Sequence, residues 1–98
     1  MRLKPHEVNA IKTAAVDAFG KDVVVRLFGS RVHDHLRGGD IDLLVEVDDD
    51  STAARADGRF LAKLFEHIDE QRVDIVHAVR GCEPTPIVAI ALRDGIVL

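Results

Sequence analysis

At 98 residues the chain is long enough for one small domain, which buries roughly two-thirds of the surface its unfolded form exposes. A net charge of −4 argues against the basic surface that direct nucleic-acid binding needs, and four Phe as the only aromatics provide no stacking platform for single strands. With 47% apolar and 31% charged residues the composition is that of a globular protein; it has no apolar run of membrane-span length and no signal-peptide layout, and the lone Cys82 excludes an internal disulfide.

Pro5 marks the start of a predicted first helix, in which Val8, Ile11, Ala15 and Ala18 recur at helical spacing before Gly20. Val23 to Phe28 is an apolar, β-rich run of strand length, interrupted by Arg26. After a Gly29-Ser30 turn, residues 31 to 36 are expected to form a short helix that Gly38-Gly39 breaks. Ile41 to Val47 reads as the second strand, ended by the acidic loop Asp48-Asp49-Asp50.

Ser51 is then the expected N-cap of a longer helix reaching about Glu70. Within it Leu61, Leu64, Phe65 and Ile68 fall at i, i+3, i+4 and i+7 and form a core stripe, while Gly58 weakens its early part. Val73 to Ala78 is a third strand, Pro84 to Arg93 a final short helix ahead of Gly95, and Ile96 to Leu98 a short edge strand. The order predicts a single α/β domain over 1–98, a small mixed β-sheet with helices packed on one face.

The chemistry concentrates in two motifs. Gly29-Ser30 precedes Asp40-Ile41-Asp42 by nine residues. Side chains alternate along a strand, so Asp40 and Asp42 share a face with Leu44 and Glu46, and Ile41, Leu43, Val45 and Val47 take the other. Two same-face carboxylates repel each other and favour a hard divalent cation such as Mg²⁺. A Gly-Ser turn beside them offers backbone N–H groups and a hydroxyl to an anion. Together these describe a site for a metal-bound nucleoside triphosphate. Asp74 on the third strand joins the same face in the simplest arrangement, which makes three carboxylates around one metal cluster.

Other polar residues carry less. His33 and His35 form a His-x-His without a third and fourth ligand for zinc. His6, His67 and His77 lack ligand spacing and read as surface or packing residues. Asp48 to Asp50 reads as a solvated turn rather than a calcium loop, and Cys82 has no catalytic neighbour at a recognisable spacing. Leu44 and Val76 lie on the carboxylate face and need a cover. A partner protein or a second copy is the expected one; the local alternative is the segment 31 to 36 or the C-terminal loop.

Leu27-Phe28-Gly29-Ser30-Arg31, Gly39-Asp40-Ile41-Asp42-Leu43-Leu44-Val45, the later Asp74 and the ending Ile90 to Leu98 resemble the minimal nucleotidyltransferases of the DNA polymerase beta-type superfamily. The resemblance implies a polymerase beta-like nucleotidyltransferase fold and a two-metal transfer of a nucleoside monophosphate to an acceptor hydroxyl. It makes Asp40, Asp42 and Asp74 the catalytic metal-binding residues. Gly29 and Ser30 would grip the β- and γ-phosphates, with Arg31 a further phosphate contact. Two departures stand out: Gly39 where many relatives have Ser, and His33 where many have a basic residue.

Many such proteins are antitoxins paired with a helical HEPN-family RNase toxin, and transfer AMP from ATP to a toxin tyrosine. The resemblance implies that role here: a cytoplasmic, Mg²⁺-dependent ATP-using enzyme whose partner is a small helical toxin. A chain of this length leaves no room for an acceptor domain of its own. The alternative class is a binding module that neutralises its toxin by contact, and a third is a standalone enzyme acting on a small molecule. Loss of neutralisation in Asp40→Ala and Asp42→Ala variants that still form the complex separates the first from the second. Transfer to a small compound without a partner marks the third.

Overall fold

The computed structural model describes residues 3–32 and 40–98. In chain order the elements are α1 (Pro5–Phe19), β1 (Val24–Phe28), a 3₁₀ turn (Gly29–Val32), β2 (Ile41–Val47), α2 (Asp50–Leu64), β3 (Val73–Val79), α3 (Pro86–Asp94) and β4 (Ile96–Val97). The four strands form one mixed sheet in the order β3-β2-β1-β4. β1 lies antiparallel to β2 and β4, whereas β2 and β3 are parallel. That parallel pair needs a long crossover, and α2 supplies it.

Local chemistry accounts for the helix boundaries. At the start of α1 the Lys4 backbone N–H donates to the Glu7 carboxylate at 2.9 Å, and Pro5 supplies a preset φ where no amide is required. α2 begins at Asp50, one residue before the expected cap, so Ser51 lies inside the helix. Asp48 and Asp49 ahead of it suit the positive end of a helix, and Asp caps as well as Ser does. α2 also stops at Leu64, short of Glu70: the Glu66 and His67 amides donate to Lys63 and Leu64 at three-residue spacing, and the helix tightens into a turn. Phe65 and Ile68 still reach the core from this turn.

The main core lies between one sheet face and α1 and α2. Val25, Leu27, Ile41 and Leu43 meet Ile11, Ala14, Ala15, Phe60 and Leu64 there, all buried. Each such Leu, Ile or Phe contributes about 1.5–3 kcal/mol by leaving water. Val45, Val47 and Ala53 extend this layer. Two of the three α-helices among the described residues thus share one face, and α3 crosses to the other.

There Val88 and Ala91, three residues apart, close over Leu44, which is fully buried, with Val76, Ala78 and Phe28 packed around them. The cover for Leu44 is therefore the chain's own final helix rather than the expected partner protein or second copy, and the segment 31 to 36 lies largely outside the described residues. Beside it Arg26 of β1 forms an ion pair with Glu46 of β2 on the same face. Among the described residues no helix is long and apolar enough to cross a membrane.

Candidate active site

Two backbone registers assemble the site. On one side of β2, Phe28 pairs with Asp42, so the chain turns at Gly29 directly beside that carboxylate. On the other side Asp42 pairs with Asp74 in the parallel ladder. The Ile41 amide donates to the Arg72 carbonyl at 3.1 Å, which ties the start of β2 to the residues ahead of β3. Asp40, Asp42 and Asp74 consequently meet at the amino ends of two neighbouring strands, on the face that α3 partly covers. The sequence pattern anticipates this grouping.

Gly29 has φ +78°, in the left-handed region, and its missing side chain leaves the space that Asp42 uses. A Cβ there would overlap Asp42 Oδ2 and lie 3.1 Å from Cγ. Ser30 and Arg31 follow in the 3₁₀ turn, and the phosphate contacts expected of their side chains lie outside what the structure describes. His33, His35, Gly39 and the helix expected to run on to residue 36 likewise fall outside the described residues beyond Val32.

Burial pushes the Asp42 carboxyl above its ordinary range, and the Asp74 and Asp40 carboxylates push it further. Arg72 pulls weakly the other way. The Arg72 Nε lies 3.4 Å from Asp74 Oδ1 and 3.7 Å from Asp40 Oδ2, so its guanidinium bridges the two outer carboxylates. Sequence reasoning passed over Arg72, although the signal was present: two residues before Asp74, it shares that residue's face of an extended chain.

The remaining polar residues serve the frame. His77 Nε2 lies 2.8 Å from Asp57 Oδ1 and its ring meets Phe19 edge-on, which makes it a packing residue as expected. His6, His67 and Cys82 are exposed. Arg80 reaches from the end of β3 to Asp48 Oδ1 at 3.0 Å and to the Asp22 carbonyl, pinning the loop after β2. A cavity of about 380 Å³ opens near the other ends of β2 and β3, lined by Glu46, Arg80, Glu83, Thr85 and Val88. The three clustered carboxylates do not line it.

A family model described as nucleotidyltransferase domain matches residues 8–98, nearly the whole chain. The chain belongs to the nucleotidyltransferase domain family. Comparison with curated proteins finds no match. The mixed sheet with helices on both faces seen among the described residues is consistent with the fold of this nucleotidyltransferase family, whose general activity is nucleotidyl transfer.

Nucleotidyltransferase domains generally use divalent metal ions. The residues of this nucleotidyltransferase fit such an ion in donor chemistry, since Asp40, Asp42 and Asp74 are hard oxygen donors. Gly29 leaves the Asp42 carboxylate room that a Cβ would fill. Among the described residues no three acidic, His or Cys side chains stand closed up as a metal cluster. Arg72 reaches two of the three carboxylates in the arrangement described.

Proposed function

We propose that this nucleotidyltransferase transfers AMP from ATP to a hydroxyl acceptor, a tyrosine of a small helical HEPN-family toxin, and so acts as that toxin's antitoxin. The observation that carries the reading is Asp42, held in register with Asp74 on one side and against the Cβ-free turn of Gly29 on the other. Carboxylate oxygens and the amides of a glycine turn are the two partners a metal-bound triphosphate requires.

In this reading Asp40 and Asp42 would hold a divalent cation that accompanies the triphosphate, and Asp74 would help hold a second that activates the acceptor. A bound divalent cation would neutralise phosphate charge and lower the pKa of the acceptor hydroxyl. The Gly29-Ser30 turn orients the β- and γ-phosphates through its amides and the Ser30 hydroxyl, with Arg31 as a further contact. Burial and the neighbouring Asp74 and Asp40 carboxylates disfavour ionised Asp42, an imbalance that a bound cation would offset. The chain's own residues therefore act by positioning and by concentrating charge.

The test is transfer of label from α-phosphate-labelled ATP and Mg²⁺ to the co-purified partner, with the Asp40→Ala/Asp42→Ala double variant as control. Label on a partner tyrosine that vanishes in the variant is the expected result. A tight complex that accepts no label from any nucleoside triphosphate overturns the enzymatic reading in favour of a binding module.

A further inference from the structure

Arg72 lies where a divalent cation would have to compete with it. Its guanidinium spans Asp40 and Asp74, while Asp42 sits inward, with burial as the main influence on its carboxyl. Its backbone is fixed, because the carbonyl accepts the Ile41 amide across the sheet, yet its side chain is 72% exposed. A tethered, solvated guanidinium held by two exposed ion pairs is cheap to release. A metal ion on the same oxygens would set like charge against it.

We propose that Arg72 is a displaceable counter-ion of the carboxylate site: it bridges Asp40 and Asp74 in the metal-free protein, gives way to the cation, and then pairs with the phosphates of the nucleotide. This rests on the reading of the site as one for a metal-bound nucleotide. The guanidinium suits both stations, since its planar fork matches carboxylate and phosphate oxygens alike. The exchange couples the two ligands. Metal alone must expel Arg72 without compensation, whereas metal arriving with a triphosphate gives the expelled group a new anion. Arg72 thereby favours metal–nucleotide over bare metal and acts as a positioning residue for the nucleotide.

The test compares wild type with Arg72→Gln by calorimetry, titrating Mn²⁺ alone and then a non-hydrolysable ATP analogue with Mg²⁺. The variant should bind Mn²⁺ about two- to fivefold tighter, the range an exposed ion pair's strength converts to. It should bind the Mg²⁺–analogue about tenfold more weakly, as loss of a charged hydrogen bond implies. The Arg72 Nε–H resonance of the wild type should shift with Mg²⁺ alone, saturating with metal binding, and shift again on adding the analogue.

A resonance that ignores Mg²⁺, or two affinities that move in the same direction, overturns the proposal. Wild type that binds both ligands while the variant matches it also refutes the role of Arg72 and leaves the site reading intact. Wild type that binds neither Mn²⁺ nor the analogue refutes the site reading, and this proposal with it.

Discussion

Replacing Gly29 with Ala tests the geometry on which the site depends. The substitution places a Cβ on a residue with φ +78°, a conformation that costs an L-residue about 1–2 kcal/mol. It also pushes the Asp42 carboxylate aside: the overlapping atom is the end of a side chain that can turn, but Cγ at 3.1 Å and Cβ at 3.3 Å restrict where it goes. An off-rotamer Asp42 adds about 0.5–1.5 kcal/mol. A total of about 2 kcal/mol lowers the Tm of a domain this size by roughly 8–16 °C. Gly81→Ala is the matched control, because φ is +85° there and nothing lies within 4 Å of the added carbon. It should pay the backbone cost alone, a fall of roughly 4–8 °C for about 1 kcal/mol.

A double-mutant cycle with Asp42→Ala isolates the contact, since removing the carboxylate should return about 0.5–1.5 kcal/mol of the Gly29→Ala penalty. Mn²⁺ uptake should fail in Gly29→Ala and survive in Gly81→Ala. Equal costs for the two glycine variants together with an additive cycle would refute the close approach, and with it the account of how Asp42 is held.

Other parts of the structure give further outcomes. Folding raises the Asp42 pKa above its ordinary value of 3.8, so the folded state favours the protonated form. Metal-free protein should therefore lose stability as pH rises from that value through the raised one, and Asp42→Asn should abolish this loss; urea unfolding in EDTA at stepped pH checks it, and identical pH slopes would count against it. Asp57→Ala removes the 2.8 Å contact to half-buried His77 and should cost about 0.5–1.5 kcal/mol by chemical denaturation, with Asp57→Asn retaining most of the bond. Ala91→Leu forces extra carbons between α3 and Leu44 and should cost about 1–3 kcal/mol, whereas the same change at exposed Ala89 should be near neutral.

Much of this protein was legible in the residues because it depends on short-range geometry. Alternation over Ile41 to Val47 separates Leu43 from Asp42 whatever the strand's neighbours are, since the pleat has a period of two. Helical spacing marks the Leu61-Leu64-Phe65-Ile68 stripe for the same local reason. The end of α2 was less legible: a turn continues the apolar pattern past Leu64, so the stripe outlasts the helix.

The sequence by itself determined the elements, their buried faces and the identity of the clustered carboxylates. Only the tertiary structure decided that α3 crosses the sheet to cover Leu44, that Asp42 pairs with Asp74 while lying against Gly29, and that Arg72 bridges two acids. Periodicity is set by backbone geometry within a few residues. The choice of neighbour and face is set by the joint burial of segments far apart in the chain, which no single stretch encodes.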